Sequence, residues 1–278
     1  MMEIANSNLS RLLELTSRKQ FVSGKSQPQV IACVLRANDG EVATTSLVRD
    51  GKTSRSRFSA ALDCEAVHIN IPIPDIERLQ GVLKAHGPEV KLTYDTSGPT
   101  GKLKVKSKSK QTTLIAEEGG LAFPHSPETI GQWEEKSQSR AEQVTDSGYQ
   151  MANGDTREPF FCYEFEDAGE LSDALSCDNI NNQRLNRYHF FVDHESDTFI
   201  VKVGEELKGA TEILLGNGPG LPDTSFDASF EGGLENVLSQ YRGRPISLEF
   251  IDFRPEGQGI RLVLRLPDGD WVFQAGVL

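Results

Sequence analysis

The chain has 278 residues, 37% of them hydrophobic, and a formal net charge of −12 at pH 7. That length holds one large domain or two ordinary ones. No run of apolar residues is long enough to span a bilayer as a helix, and the acidic balance excludes a protein that binds nucleic acid over its whole surface.

In chain order, the first periodic segment is SNLSRLLELTSRKQF, where Leu9, Leu12 and Leu13 share a helical face and Ser7 or Asn8 can cap it. QVIACVLRAN and EVATTSLVRD then alternate like two strands around an Asn38-Asp39-Gly40 turn. A polar stretch with Arg55 and Arg57 precedes the strand AVHINIPI. A second helix opens at Pro74, buries Ile76, Leu79 and Leu83, and stops at Gly87-Pro88. VKLTY, KLKVKSK and TTLIAEE read as three further strands. The stretch 121–158 is polar and rich in Ser, Gln and Glu, and reads as a connector with a weak helix around Trp133. Beyond it come strand PFFCYEF, helix GELSDALSCDNI, strands RYHFFVDH, TFIVKV, ATEILLG and TSFDASF, helix GLENVLSQY and three closing strands.

The order of periodicities occurs twice. PDIERLQGVLKAHGPEVKLTYD followed by GKLKVKSKSKQTTLIAEEG is matched by GGLENVLSQYRGRPISLEFID followed by GIRLVLRLPDGDWVFQAGVL. Each is an amphipathic helix, a stop and three strands, so the architecture is duplicated. Short links between strands favour antiparallel sheets, and one apolar stripe per helix predicts a helix packed on one sheet face. The boundaries predicted are 1–120, a connector 121–158, and 159–278.

This pattern resembles the DNA sliding clamp family over nearly the whole chain. The resemblance rests on VHINIPIPDIERLQGVLKAHGPEVKLTYD, on GGLENVLSQYRGRPISLEF and on the ending DWVFQAGVL. It implies an α+β fold of two domains, each of two βαβββ units, with antiparallel sheets outside and helices lining a ring. Bacterial clamps of this family have three domains and dimerise, whereas a two-domain chain needs three copies to close. The implied function is a non-enzymatic DNA polymerase processivity factor: a homotrimer around duplex DNA, indifferent to sequence, with a polymerase and a clamp loader ATPase as partners. No cofactor is implied. The resemblance implies that Arg11, Arg18, Lys19, Arg78, Lys84, Arg184, Arg187, Arg242 and Arg244 face DNA, although Glu170, Asp173 and Glu235 make this lining less basic than is typical of the family. It implies subunit pairing through edge strands at Thr113, Leu114, Ile115 and Glu212, Ile213, Leu214. It also implies a partner-peptide pocket at Leu121, Phe123, Phe273, Ala275, Val277 and Leu278.

Other motifs carry less. Lys102, Lys104, Lys106, Lys108 and Lys110 alternate, so on a strand all five project from one face, with Leu103 and Val105 on the other. They read either as a comb for phosphates or a partner, or as a solvated face that resists aggregation, and no interleaved aromatics offer base stacking. His189, Asp193 and His194 do not share one face of a strand and make a poor metal set. Gly216-Asn217-Gly218-Pro219-Gly220 lacks the GK[ST] of a phosphate loop. No GxSxG, HExxH or Cys/His constellation is present. The four cysteines are scattered, with no CxxC pair, and MMEIANSNLSRLL lacks the basic-then-apolar pattern of a secretory signal. A reduced protein of the cytoplasm, or of a host's cytoplasm if viral, is expected. Two other functions fit the sequence: a structural or adaptor protein of duplicated β-rich units, such as a virion component, and an enzyme whose site is built from unremarkable polar residues.

Overall fold

The computed structural model describes residues 1–22, 25–38, 40–47, 55–62, 69–115, 124, 126–151, 153–176, 187–205, 209–217, 221 and 225–276. Its elements in order are β1 (Met2–Ala5), α1 (Asn6–Ser17), β2 (Lys19–Val22), β3 (Lys25–Pro28), β4 (Ala32–Asn38), β5 (Glu41–Leu47), β6 (Arg55–Ala61), β7 (Ile69–Ile73), α2 (Ile76–Leu83), β8 (Glu89–Asp95), β9 (Lys102–Lys106) and β10 (Gln111–Leu114). Then come α3 (Pro127–Gln143), β11 (Val144–Thr145), β12 (Gly148–Gln150), β13 (Thr156–Arg157), β14 (Phe161–Phe165), α4 (Ala168–Leu175), β15 (Arg187–Asp193) and β16 (Thr198–Glu205). β17 (Gly209–Asn217), β18 (Phe226–Glu231), α5 (Leu234–Leu238), β19 (Ile246–Asp252), β20 (Ile260–Arg265) and β21 (Trp271–Ala275) complete the chain.

The chain divides into two compact units, residues 1–17 with 30–142, and residues 18–29 with 143–278. In the first, β1-α1-β4-β5-β6 is followed by β7-α2-β8-β9-β10, and the opening strand of each repeat crosses to the other's sheet. The pairing is therefore β1-β8-β9-β10 and β6-β5-β4-β7. The second unit repeats the rule, with β14-α4-β15-β16-β17 and β18-α5-β19-β20-β21 giving β14-β19-β20-β21 and β17-β16-β15-β18. The pairings described are antiparallel, as short strand links require. Each unit thus holds two βαβββ repeats.

The helices form because their apolar residues fall on one stripe. α1 buries Leu9, Leu12 and Leu13 fully, and α2 buries Ile76, Leu79 and Leu83. Asp75 caps α2 by accepting from Arg78 N at 2.9 Å, and Asp167 caps α4 by accepting from Gly169 N at 2.6 Å. In the first unit Asn6 Nδ2 donates to the carbonyls of Leu83 and Gly87, both at 3.0 Å, joining the start of α1 to the end of α2. In the second, Ser172 Oγ donates to Glu235 O at 3.2 Å between α4 and α5.

The second unit has a core of phenylalanines. Phe190, Phe199, Phe230 and Phe250 are fully buried, with ring centroids 5.6–6.2 Å apart. Its β19–β21 sheet is apolar on both faces. The far face, made of Ile251, Phe253, Val263, Trp271 and Phe273, is sealed by Val144 and Tyr149 from the small sheet β11-β12-β13. Tyr149 stacks on Phe273 at 4.7 Å and meets Phe253 edge-on at 5.8 Å.

Three expectations change here. The helix expected to run through Phe21 stops at Ser17, because Arg18 takes a left-handed backbone (φ 37°). A hairpin, β2-β3, follows within the second unit, so Lys19 lies on a strand and not on a helix. The polar stretch at Arg55 and Arg57 is strand β6, paired with β5. The stretch read as a connector holds the helix expected around Trp133, as α3, and in addition three short strands that were not expected.

Candidate functional site

Two kinds of surface bear on function: the cations near the four repeat helices, and the free edges of the sheets. On the helices, Arg11 on α1 is half-buried, and Lys84 at the C-cap of α2 is exposed. Arg78 on α2 is half-buried and donates from Nη1 to Ile115 O at 2.7 Å, at the end of β10. Arg18 is not available to any partner in solution, being 1% exposed. Burial pushes its guanidinium down to about 10, partly offset by the attraction of Glu231. Arg184 lies outside the described residues, and Arg187 is exposed at the start of β15, not on a helix.

Arg242 and Arg244 are exposed but lie beyond α5, and both are already neutralised. Arg242 forks onto Asp173 of α4, with Nη1–Oδ2 at 3.1 Å and a shorter second contact. Arg244 forks onto Asp268 at 2.8 and 3.0 Å. The Asp173 carboxyl is held below its usual range by the Arg242 hydrogen bond. Glu235 does not stand free on α5: its Oε2 accepts from Gly233 N at 3.0 Å and from the Tyr188 hydroxyl. Burial, followed by the nearby Glu235 charge, pushes that phenol well above its ordinary value. The cationic character that sequence reading assigned to the helices is therefore much reduced.

The edge strands are better defined. β10 ends the sheet β1-β8-β9-β10, and β17 ends the sheet β17-β16-β15-β18. Thr113 and Ile115 are exposed while Leu114 points into the core. On β17, Glu212 and Leu214 are exposed and Ile213 is half-buried. Glu212 pairs with Lys202 at 2.7 Å. Leu214, Ile200 and Phe191 are cross-strand neighbours in one row that reaches the edge. Among the described residues, the large hydrophobic side chains left exposed are Met1, Ile115 at 44% and Leu214 at 55%; two of the three sit at these edges.

Two of the partner-pocket residues fall among the described residues, and both are buried. Phe273 is 4% exposed beneath Tyr149, and Ala275 is 6% exposed. Leu121, Phe123, Val277 and Leu278 lie outside the described residues. Among the described residues, no three His, Cys, Asp or Glu side chains are placed to hold a metal ion. His189 is instead engaged by Asp227 at 3.0 Å and Ser229 at 2.7 Å. No described helix is long and apolar enough to cross a membrane.

Sequence reading put the five alternating lysines on one strand face; the strand ends at Lys106, so Lys108 and Lys110 lie beyond it. Lys102, Lys104 and Lys106 share one face of β9 while Leu103 and Val105 are fully buried on the other. Lys91 of β8 lies directly opposite Lys106.

Comparison with known proteins places this geometry. No family model and no curated protein matches the chain. Among solved structures, it is similar to the DNA polymerase III subunit beta of Pseudomonas aeruginosa, with a TM-score of 0.59, 12% identity, and coverage of 100% of this chain and 64% of that one. The DNA polymerase sliding clamp of Caulobacter crescentus gives 0.59, 12%, 100% and 65%. The DNA polymerase III beta subunit of Thermotoga maritima gives 0.57, 12%, 99% and 64%. The chain thus spans less than two thirds of the length of these proteins, and it has the sliding-clamp fold.

Proposed function

We propose that this chain, folded as a sliding clamp, is a DNA polymerase processivity factor that closes as a homotrimer around duplex DNA. The observation that carries the reading is the pair of free edges, β10 in the first unit and β17 in the second, each bearing an exposed aliphatic side chain. Antiparallel pairing of β10 of one copy with β17 of the next joins two four-stranded sheets and covers Ile115 and Leu214. Because the two edges lie on different units, the contact is heterologous and propagates head to tail until it closes. Three copies give six units and a closed circle.

The helices then supply an inner wall. A helix of the length of α1 extends about 18 Å, comparable to the width of a duplex. Among the described residues of the four repeat helices, Arg11 and Lys84 are the cations that reach solvent, with Arg78 beside them, while the salt-bridged Arg242 and Arg244 add little net charge. So weak a lining suits a collar that holds by topology and slides, because phosphate contacts carry no sequence information. A polymerase and a clamp loader ATPase are the partners this role requires. Tethering would raise the polymerase's effective concentration at the primer end.

The test is retention on circular DNA. Loaded onto nicked circular duplex, the protein should co-elute with it through gel filtration and be released when the circle is cut. In salt high enough to suppress direct phosphate contacts, equal retention on the linear form, or a persistent monomer at high micromolar concentration, would reject the proposal.

A further inference from the structure

The formal charge of the chain is divided very unequally. The first unit holds sixteen basic against seventeen acidic side chains and the second thirteen against twenty-four, so −12 separates into −1 and −11. Within the first unit, the positive charge is concentrated on the outward face of β8-β9-β10. Lys102, Lys104 and Lys106 stand on β9, Lys91 faces Lys106 across the ladder, and Lys108 follows in the turn. Two of these are neutralised, Lys91 by Glu3 and Lys104 by Asp95, the latter at 2.7 Å. Lys102, Lys106 and Lys108 have no acidic partner among the described residues.

Lys106 stands directly opposite Lys91 on the ladder, a pairing of like charges that destabilises a sheet unless compensated, and Glu3 on the other side of Lys91 compensates it. The same face borders a hollow of about 740 Å³ lined by Lys91, Lys104, Lys106 and Lys108 on one side and by Glu3, Glu89 and apolar residues such as Ile4 and Leu62 elsewhere. Protein-binding surfaces are centred on aromatic or aliphatic anchors and are depleted in lysine; this sheet face carries Thr93, Gln111 and Thr113 between the lysines, and its carboxylates, Glu3 opposite Lys91 and Asp95 opposite Lys102, are taken up by Lys91 and Lys104. Single-strand binders add aromatic stacking platforms, and no aromatic side chain lies among these residues. Alternate residues on a strand are spaced roughly 6.8 Å apart, about the axial rise of two phosphates on one strand of B-form DNA.

We infer that the outward face of β8-β9-β10 is a sequence-independent contact surface for the phosphate backbone of duplex nucleic acid, separate from the helices and independent of ring closure. Lys102, Lys106 and Lys108 carry it, and each neutralises one phosphate. Three such contacts give a log–log salt slope of roughly −2.7, or about a 40-fold loss of affinity between 50 and 200 mM salt.

The test is fluorescence anisotropy of a labelled 20-base-pair linear duplex with the full chain alone, so no loader or ring is required. Replacing Lys102, Lys106 and Lys108 together by Glu should lower affinity at least tenfold at 50 mM salt, and replacing them by Gln should flatten the slope toward zero. Lys136→Glu, on α3, should leave both unchanged. Duplex should also protect Lys102, Lys106 and Lys108 from acetylation in the wild-type chain, a readout that does not depend on a variant folding. Unaltered affinity in the triple variants, tighter binding of a single strand of equal length, or binding of polyglutamate in place of duplex would each overturn the assignment.

Discussion

Leu214→Ala is the most direct probe of assembly. Leu214 is 55% exposed on edge strand β17, so about half its side chain remains to be covered by a neighbour. Full burial of a leucine side chain contributes about 1.5–3 kcal/mol, which puts the loss at about 1 kcal/mol per interface. A closed trimer has three interfaces, so the ring loses about 3 kcal/mol. At 1.4 kcal/mol per decade, the trimer association constant falls roughly 140-fold. The concentration at which half the chains are assembled scales as the inverse square root of that constant and should rise about 12-fold. Sedimentation velocity across a concentration series reads this midpoint directly. The fold should be untouched, because the side chain is exposed in the free chain. An unchanged midpoint, or a wild-type chain that never leaves the monomer, would refute the edge-pairing argument.

Other outcomes follow from the same structure. Tyr149→Ala should destabilise the second unit by about 2–3 kcal/mol, since it uncovers Phe273 and Phe253, with a red-shifted Trp271 emission; Tyr149→Phe should stay within about 1 kcal/mol, and an unshifted emission in the alanine variant would contradict the sealing role. Lys84→Glu is a cleaner test of the inner wall than Arg78→Glu, because Arg78 also holds the Ile115 carbonyl; it should reduce polymerase stimulation without lowering Tm. On acidification, Asp167, Asp173, Asp193 and Asp252 are all held below the usual carboxylate range by hydrogen bonds. In the window below about pH 4 the unfolded chain binds more protons than the folded one, so their stabilisation is complete above that pH and is lost as pH falls through it; a Tm flat from pH 5 to 3 would contradict this. His86 is depressed by burial and by Lys110, so its own contribution is lost as pH falls below about 6.5, and His86→Gln should remove that part of the titration.

How far the sequence disclosed this protein depends on which residues carry the signal. The duplicated order of helices and strands was visible because leucines at helical spacing and alternating Val, Leu and Phe mark the repeats. β6 was not, because its buried side chains include Ser56 beside Phe58, and Ser56 N is satisfied by Ser46 Oγ at 2.8 Å. The small sheet β11-β12-β13 escaped notice because strands of two or three residues are too short for periodicity to register. Arg18 read as a solvent-facing helical cation, but the left-handed turn that buries it is a conformation more usual for glycine. Arg242 and Arg244 read as free charges because their partners, Asp173 and Asp268, are 69 and 24 residues distant in the chain. Position in the repeat put β10 and β17 at sheet edges, where they lie; alternation alone put the lysines on one face, whereas the approach of Lys91 to Lys106 needed the register of β8 and β9.

The hairpin β2-β3 has a consequence for how the protein is made. Residues 18–29 leave the first unit after α1 and belong to the second, where Gln29 Nε2 donates to Gly232 O at 2.5 Å. A ribosome adds about 5–20 residues per second, so some ten seconds or more pass before Gly232 emerges to receive Gln29. Until then the nascent first unit carries a loop with nowhere to dock. A fragment cut after Glu142 would inherit that loop permanently, and excision of 18–29 behind a short glycine bridge is the rational way to express the first unit by itself.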